Sequence, residues 1–386
     1  MKQPFDCLII GGGIVGLCTA IAMAERKQTV ALIDAGSLTT DTSKQDARVY
    51  AINKASEYLL NQLQVWPLIK PERISPYRHM HVWDAVSKGC IDFDAREIAD
   101  SKLGVILEES ILKEALLNRL ADFPNIQCFA GSPVTQLDCR GEIALAGSAK
   151  QQWQGRLVLI ADGGESPARK RLNVGITSWP YHQHALVATI RTEKPHQYTA
   201  WQVFNPDGPL AFLPLPDEHY CSIVWSTTPA KAQKLVDVEE QKFNEQLASA
   251  FSHRLGQVEV AGKRYQFPLT MRHAKQYAGK NWLLLGDAAH TIHPLAGLGL
   301  NLGLADVAAW LDCFDRAANP FAAKTLGRYQ RQRKQAVWQA IWLMEGLKML
   351  FANPLPPVTA LRGLGINLCN SLSPIKRLFI EHAAGG

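Results

Sequence analysis

One late stretch concentrates residue types that suit an anionic or electron-rich ligand. It covers residues 286–301 and opens with Gly286 and Asp287, directly after the apolar run Trp282–Leu285. Closely spaced glycines follow, and a helix is expected to begin near Leu300. A strand that delivers one carboxylate, followed by a glycine-rich turn that opens a helix, presents backbone N–H groups to such a ligand. The stretch therefore predicts one wall of a ligand site.

A second glycine-rich turn lies near the start of the chain. Gly11, Gly13 and Gly16 form a GxGxxG pattern between the predicted strand Phe5–Ile10 and a predicted helix. In such a turn the first glycine permits the bend, the second lets the backbone approach a pyrophosphate, and the third lets the helix pack closely. The next predicted strand ends in Asp34, whose carboxylate can accept hydrogen bonds from ribose hydroxyls. The pattern predicts a dinucleotide site and leaves NAD and FAD open.

A third motif lies between the other two. Asp162 and Gly163 end an apolar predicted strand, and Ser166 can cap a short helix that carries Arg169. An Asp-Gly pair alone is a common turn, but at a strand end with this continuation it indicates a second contact on the same ligand.

Arg48 has two interpretations. Its guanidinium could reach a pyrophosphate or a flavin, or it could form a surface salt bridge with Asp46 or Asp41. The spacing alone favours the salt bridge.

The composition is that of an ordinary globular enzyme. The chain has 386 residues, with 47% hydrophobic and 20% charged residues, which allows two or three domains with real cores. The 41 Lys and Arg against 35 Asp and Glu give only a mild positive charge, so we expect no nucleic-acid partner. None of the eight cysteines forms a CxxC pair, so we expect no metal site and buried free thiols in a reducing compartment.

No secretory signal or membrane-spanning run is apparent, which predicts a cytoplasmic protein. The C-terminal tail contains many apolar residues and the basic pair Lys376 and Arg377. It is open to two interpretations: a helix packed on the core, which is favoured, or a face that rests on a membrane surface.

The elements that must position these motifs are strands and helices in alternation. Helices are expected over Glu108–Leu120, Asp237–Phe251 and residues 302–314 and 322–340. Between residues 180 and 268, short β-branched and aromatic runs split by Pro-Asp turns predict an antiparallel sheet. This insert separates the two halves of the nucleotide domain and is a natural substrate wall.

The pattern therefore predicts an α/β fold with a discontinuous dinucleotide domain. The expected divisions are a nucleotide domain of residues 1–75, 100–179 and 269–335, a β-sheet substrate domain of 76–99 and 180–268, and a C-terminal helical region of 336–386.

The three motifs together resemble the FAD-dependent aromatic hydroxylases, the single-component flavoprotein monooxygenases. Softer matches, among them Trp83-Asp84, Phe267-Pro268-Leu269 and Tyr329-x-x-x-Arg333, resemble the ubiquinone-biosynthesis branch of UbiH/UbiF/VisC type. The resemblance covers essentially the whole chain. It implies a Rossmann-like FAD-binding domain of the p-hydroxybenzoate-hydroxylase type with an inserted antiparallel-sheet substrate domain.

The resemblance also implies roles for individual residues. Gly11, Gly13 and Gly16, with Ile14 and Val15 between them, would hold the FAD pyrophosphate, and Asp34 the adenosine ribose. The remaining cofactor contacts would be Arg48, Asp162, Gly286, Asp287, Pro294, Gly297, Gly299, Leu300 and Asn301. Pro294 would lie beside the flavin ring, and His290 and His293 are the histidines expected nearest to it, which makes these three the catalytic candidates.

Three positions depart from the branch. It usually has Glu where Asp34 stands, Gln where Leu298 stands, and often Asn where Glu109 stands. The last two changes concern the fine geometry of the cofactor.

The implied reaction starts with reduction of FAD by NADPH or NADH. O2 is then captured as a C4a-hydroperoxide, and a hydroxyl group is transferred to an electron-rich ring, here a prenylated phenol of ubiquinone biosynthesis. The implied surroundings are the inner membrane surface and other quinone-biosynthesis proteins. Two alternatives stay open: a flavin hydroxylase of another aromatic or prenyl lipid, and a catalytically silent FAD-binding subunit of a membrane-associated complex.

Overall fold

The computed structural model describes residues 3–43, 45–87, 89–293, 298–353, 355–372 and 376. The strands are β1 (Phe5–Ile10), β2 (Val30–Ile33), β3 (Val49–Ile52), β4 (Ser75–Tyr77), β5 (His79–Asp84), β6 (Cys90–Asp94), β7 (Gly104–Glu108), β8 (Ile126–Phe129), β9 (Gln136–Asp138), β10 (Ala144–Gly147), β11 (Gln152–Ile160), β12 (Ile176–Thr192), β13 (Thr199–Asn205), β14 (Gly208–Pro214), β15 (Tyr220–Thr227), β16 (Val258–Val260), β17 (Tyr265–Ala274), β18 (Trp282–Leu284) and β19 (His290–Thr291). The helices are α1 (Ile14–Glu25), α2 (Lys54–Gln62), α3 (Glu109–Leu120), α4 (Pro167–Arg171), α5 (Pro229–Asp237), α6 (Glu240–Ala250), α7 (Leu298–Asp315), α8 (Ala323–Ala352) and α9 (Pro356–Ser371).

The first sheet has the order β8-β2-β1-β11-β10-β9, with β18 also paired to β11. Strands β8, β2, β1, β11 and β18 run parallel, whereas β9 and β10 continue from the start of β11 as an antiparallel extension. All four residues of β2 and the last four of β1 are buried, because helices cover both faces of a parallel sheet. The predicted β-α-β unit at the N-terminus is confirmed.

Helix α1 fixes the glycine turn in place. Ten of its twelve residues are buried, and it packs against α3 and α7 as well as against the sheet. A helix that is apolar on all sides is stable only inside a core. Its N-terminus is therefore held at the carboxyl edge of the parallel strands, where such folds bind ligands.

The second sheet has the order β19-β17-β12-β15-β14-β13-β5-β6, with β16 also paired to β12. One face packs on α5 and α6 through a core that includes Leu186, Phe212 and Phe243. The predicted antiparallel sheet is present with one difference, since β13 pairs in parallel with β5. Strand β5 comes from a distant part of the chain, so turn signals between neighbouring runs could not reveal its direction. A small third sheet, β3-β7-β4, is not hydrogen-bonded to either of these two.

Several elements differ from their predicted bounds. The helix expected over Asp237–Phe251 is α6, and α5 before it was not predicted. The helix expected to end near residue 340 continues to Ala352. Strand β7 was not predicted, because its apolar run leads directly into α3. Strand β12 starts earlier than expected and carries a register shift between Pro180 and His184.

The C-terminal helix α9 lies along the outer edge of the second sheet. The Arg362 guanidinium donates to Asp84 at 2.7 Å, and both side chains are buried. Oδ1 atoms of Asn367 and Asn370 accept from the backbone N–H groups of Cys90 and Asp92, each at 3.0 Å. The helix thereby occupies hydrogen-bonding groups of edge strand β6. Among the described helices, none has the length and apolar character needed to cross a membrane.

Candidate active site

The glycine turn between β1 and α1 is closed towards the protein and open on its other side. Gly11 has φ +114°, and a Cβ there would lie 2.3 Å from the carbonyl oxygen of Ala161. A Cβ on Gly16 would lie 1.9 Å from the Gly11 carbonyl oxygen. A Cβ on Gly13 would meet no atom of the described residues within 4 Å. The first and third glycines therefore join strand to helix, and the second leaves room for a ligand.

Asp34 lies at the end of β2 beside this turn. Its Oδ2 accepts from the Gly12 N–H at 2.5 Å, and its Oδ1 accepts from the Gly36 N–H at 2.7 Å. The carboxylate is thus oriented by the backbone that follows each of the first two strands.

A cavity of about 1550 Å³ extends from the glycine turn to the second sheet. A pocket for one drug-sized molecule measures about 300–1,000 Å³, so this cavity has room for a cofactor and a second ligand. The predicted cofactor residues that line it are Gly11, Gly13, Ile14, Val15, Asp34, Arg48, Asp162, Asp287, Gly299, Leu300 and Asn301.

Two predicted positions are placed differently, and two are not described. Gly16 and Gly286 lie behind the cavity wall, where each packs against protein atoms. Pro294 and Gly297 lie outside the described residues.

Asp162 and Asp287 both line the cavity. The Asp162 side chain is half-buried, whereas Asp287 is exposed to the cavity. Partial desolvation by neighbouring protein atoms raises the pKa of both side chains. For Asp287 the nearby charges of His290 and Arg48 oppose the increase. Oδ2 of Asp162 accepts from the Ala168 N–H at 3.0 Å, while its Oδ1 is buried without a partner among the described residues. That unpaired acceptor suits a ligand with a hydroxyl or N–H group.

Arg169, which the sequence placed on the short helix after the Asp162-Gly163 turn, does not line the cavity. Its guanidinium is buried and donates to the carbonyl oxygens of Ala288 at 2.7 Å and Gly164 at 2.9 Å. The expected cap is present, since Ser166 Oγ accepts from the Arg169 N–H at 3.0 Å. Arg169 therefore joins the turn after β11 to the turn after β18.

His290 belongs to a buried polar cluster and does not line the cavity. Its Nε2 lies 2.7 Å from Oδ2 of Asp306, which also accepts from the Gly286 N–H at 2.8 Å. Arg333 Nε donates to the other oxygen of Asp306 at 2.6 Å. Burial alone would raise the pKa of Asp306, but His290 and Arg333 lower it below its ordinary value. The cluster fixes the turn that carries Asp287.

The side chain of Asn301 connects α7 to the start of α2. Its Oδ1 accepts from the Asn53 N–H at 3.1 Å and from Ser56 Oγ at 2.7 Å, and its Nδ2 donates to the Ala51 carbonyl at 2.7 Å. These bonds fix the position of the first turn of α7, which lines the cavity.

Arg48 lines the cavity, and its partner is Glu109 rather than Asp46. Arg48 Nε lies 3.0 Å from Glu109 Oε2, and its guanidinium carbon lies 5.3 Å from the centroid of the Tyr50 ring. The Asp46 carboxylate accepts instead from the backbone N–H of Arg48 at 3.0 Å.

The far part of the cavity is formed by one face of the second sheet. Its residues alternate with those of the opposite face, which packs on α5 and α6. The cavity-facing residues of β12, β14 and β15 are mostly small: Ala185, Val187, Thr189, Pro209, Ala211, Leu213, Ser222, Val224 and Ser226. They leave an apolar cleft with a few hydroxyl groups.

His293 also lines the cavity. Its ring packs edge-to-face on Tyr181, with centroids 4.9 Å apart, and its Nε2 lies 3.3 Å from Gln183 Oε1. Nδ1 is buried and has no partner among the described residues. Burial lowers the pKa of His293 to about 4, so the ring is neutral near pH 7.

Two of these residues were not singled out from the sequence. Asp306 interrupts an apolar predicted helix, which is a readable signal for a buried charge partner. Gln183 gave no signal, since its contact with His293 joins positions 110 residues apart. Within the described part of the chain, no group of three or more His, Cys, Asp or Glu side chains could hold a metal ion.

The chain matches a protein family described as FAD binding domain over residues 5–343. It is 34% identical to 3-demethoxyubiquinol 3-hydroxylase of Escherichia coli, covering 100% of this chain and 99% of that protein. It is also 34% identical to ubiquinone hydroxylase UbiL of Rhodospirillum rubrum, covering 98% and 89%. Identity to the mitochondrial ubiquinone biosynthesis monooxygenase COQ6 of Drosophila melanogaster is 31%, covering 99% and 90%.

Solved structures with the same fold include p-nitrophenol 4-monooxygenase PnpA of Pseudomonas putida, with a TM-score of 0.80 at 16% identity over 100% of this chain and 99% of that one. PqsL of Pseudomonas aeruginosa aligns with a TM-score of 0.78 at 19% identity, covering 94% and 99%. The open space at Gly13 and the unpaired Oδ1 of Asp162 fit a dinucleotide with hydroxyl groups. The chain belongs to the FAD binding domain family and is an FAD-dependent monooxygenase, which confirms the resemblance drawn from its three motifs.

Proposed function

We propose that the protein hydroxylates the aromatic ring of a polyprenylated phenol in ubiquinone biosynthesis. The observation that carries this proposal is the 34% identity over full length to a 3-demethoxyubiquinol 3-hydroxylase. The apolar cleft formed by the second sheet supports it, because a ring with an apolar tail needs such a surface.

FAD, reduced by NADPH or NADH, supplies the oxygen-transfer chemistry with O2. The protein binds and orients the cofactor and the substrate, and it excludes water from them. We assign the glycine turn with Ile14 and Val15 to the pyrophosphate and Asp34 to the adenosine ribose. Arg48, Asp162 and Asp287 are assigned to the middle of the cofactor.

The flavin end is assigned to the first turn of α7. This helix has 18 residues, and its N-terminal N–H groups favour negative charge nearby. Gly299, Leu300 and Asn301 would therefore stabilise the charge that develops at the pyrimidine edge on reduction. The roles that the resemblance implies for Pro294 and Gly297 stay predictions.

His293 is the residue to which we assign proton acceptance from the substrate phenol. A neutral histidine has one unprotonated ring nitrogen, and the ring lines the cavity between cofactor residues and the second sheet. Proton transfer by a positioned side chain contributes about 10²–10⁴-fold in rate. His290 is assigned to the buried cluster, where it positions Asp287.

The domain division belongs to the same proposal. Residues 1–75, 100–179 and 269–335 would form the FAD domain, 76–99 and 180–268 the substrate domain, and 336–386 the C-terminal region. The second sheet extends across these borders, since β12 starts at Ile176, β17 ends at Ala274, and β19 lies at His290–Thr291.

We also propose contact with a membrane surface, where a polyprenylated substrate would reside. Exposed large apolar side chains concentrate on α8 and α9: Trp342, Leu343, Met349, Leu350, Leu361, Leu364 and Leu368. Other quinone-biosynthesis proteins could cover the same face. Binding of the purified protein to vesicles distinguishes a membrane surface from a partner protein.

The proposal is tested by mass analysis of quinone intermediates in cells that lack this chain. Accumulation of an intermediate short of one ring hydroxyl would identify the step, and an unchanged quinone pool would refute the pathway. Purified protein should be yellow, and NADPH or NADH should bleach it faster when a prenylated phenol is added. If neither NADPH nor NADH reduces the flavin with any substrate, the alternative of a catalytically silent FAD-binding subunit is favoured.

A further inference from the structure

The cavity that takes a dinucleotide with two phosphates is rich in acids. Among the described lining residues, six are acids (Asp34, Asp41, Asp46, Glu109, Asp162 and Asp287) and three are bases (Arg48, Arg171 and Lys263). A negatively charged cavity opposes an anionic ligand, so each base matters for holding the cofactor.

Of the three bases, Arg48 is the one placed to meet the phosphates. Arg171 is engaged elsewhere, since its guanidinium donates to the carbonyl oxygens of Thr135 at 2.8 Å and Pro167 at 3.1 Å. Lys263 lies in the connection between β16 and β17, two strands of the second sheet. The side chain of Arg48 is 61% exposed, and its charge interacts with that of Asp287.

Glu109 occupies the Nε edge of this guanidinium at 3.0 Å. It is the first residue of α3, where an acid also stabilises the helix dipole, and that structural role is the alternative explanation for its presence. Orienting Arg48 requires only a hydrogen-bond acceptor, which an amide oxygen would provide equally well. Unlike an amide, the carboxylate also carries a negative charge. That charge offsets the positive charge of Arg48, which would otherwise attract the phosphates.

We propose that Glu109 restrains Arg48 and weakens the retention of FAD. The carboxylate competes with the cofactor pyrophosphate for the guanidinium, so Glu109 acts through Arg48 as a positioning residue. FAD binding then requires Arg48 to exchange partners, at least in part. The proposal depends on FAD binding and not on the identity of the substrate.

Glu109→Gln keeps the size and the acceptor of the side chain but removes its charge. We expect this variant to bind FAD about tenfold more tightly, equivalent to about 1.4 kcal/mol. A purely structural role predicts the opposite sign, because loss of the acid at the start of α3 can only weaken the helix. A gain in affinity is therefore a signature that a damaged fold would not produce.

The experiment is a double-mutant cycle on protein stripped of flavin, with FAD affinity measured by quenching of flavin fluorescence. The four proteins are the wild type, Glu109→Gln, Arg48→Met and the double variant. Arg48→Met alone should bind FAD at least tenfold more weakly. If Glu109 acts through Arg48, the gain from Glu109→Gln should fall below twofold in the Arg48→Met background.

Glu259→Gln is the matched control, since Glu259 forms an exposed pair with Arg191 at 3.8 Å and does not line the cavity. It should leave FAD affinity unchanged, and thermal unfolding of the flavin-free proteins reports any damage to the fold. Equal or weaker FAD binding by Glu109→Gln overturns the proposal. An equal gain in both backgrounds also overturns it, because Glu109 would then act on the cofactor directly.

Discussion

The contact between Gln183 and His293 fixes which ring nitrogen of the histidine carries the proton. Gln183 Nε2 donates at 2.9 Å to the backbone carbonyl of Asp207, which can only accept. The amide oxygen of Gln183 must therefore face the ring, 3.3 Å from Nε2 of His293. This assigns the proton to Nε2 and leaves Nδ1 as an unprotonated acceptor.

From this arrangement we expect His293→Ala to lower kcat/KM for a phenolic substrate by about 10²–10⁴-fold. The pKa of His293 is about 4, so the wild type should keep its acceptor at all pH values above about 5. In the variant the rate should rise with pH towards the pKa of the substrate phenol, near 10 for an unperturbed phenol. Steady-state kinetics over this pH range measure both effects.

Two further variants separate the contribution of the His293 ring from that of Gln183, which fixes its tautomer. Gln183→Met should cause a smaller loss with the wild-type shape of the pH profile, because the ring stays but loses its fixed tautomer. His184→Asn is the control, since His184 contacts Gln266 and does not line the cavity. A flat pH profile for His293→Ala, with little loss of rate, would contradict the assignment.

The glycine turn offers a test that separates ligand space from protein packing. Gly13→Ala adds a Cβ that meets no atom of the described residues within 4 Å, so thermal unfolding of the flavin-free protein should change little. FAD affinity should fall at least tenfold, because that Cβ occupies the space next to the pyrophosphate. Calorimetry and flavin titration on the same preparation give the two readings.

Gly16→Ala should behave in the opposite way. Its Cβ would lie 1.9 Å from the Gly11 carbonyl oxygen, so the protein should be destabilised even without FAD. Unchanged FAD affinity in Gly13→Ala would remove this turn from the cofactor site.

The sequence predicted the parts of the site that depend on short-range spacing. The strand, turn and helix around Gly11 follow from local constraints, because glycine placement and apolar runs reflect the backbone directly. Long-range partners were not predictable in the same way. Arg48 was assigned to a salt bridge with a near neighbour, yet its partner Glu109 lies 61 positions further along the chain. That pairing depends on β3 lying beside β7, which no local pattern encodes.

The same limit applies to the catalytic histidines. His290 and His293 are three residues apart, and the sequence treats them alike. In the fold His290 contacts Asp306 in the core, whereas His293, beyond the end of β19, lines the cavity.

The buried cluster around Asp306 should be sensitive to the loss of one charge and tolerant to the loss of both. Asp306→Asn leaves Arg333 buried without a charged partner, and breaking such a pair costs about 3–5 kcal/mol. Adding Arg333→Met should recover part of this loss, since the unpaired charge is then absent. Chemical denaturation of the single and double variants provides the comparison. A double variant less stable than Asp306→Asn would show that the two charges are not coupled in this way.

The outer face of α9 should contribute to membrane binding without contributing to stability. Leu361, Leu364 and Leu368 are 69%, 67% and 60% exposed, and the helix is attached to β6 by its opposite, polar face. Replacing all three leucines by glutamine should therefore leave thermal unfolding nearly unchanged. Binding to vesicles of phosphatidylcholine and phosphatidylglycerol, measured by co-sedimentation, should fall several-fold, because less apolar area enters the lipid interface.

The matched control for this variant replaces Tyr58 and Leu68, which are exposed and lie outside the C-terminal helices, by glutamine. It should bind vesicles as the wild type does. Light scattering distinguishes a second explanation for the leucine face, namely contact between two copies of the chain, since charge-depleted apolar surfaces are also typical of homodimers. If the leucine variant has the mass of a smaller assembly than the wild type but still binds vesicles, the face is an interface between copies. The membrane assignment is then wrong.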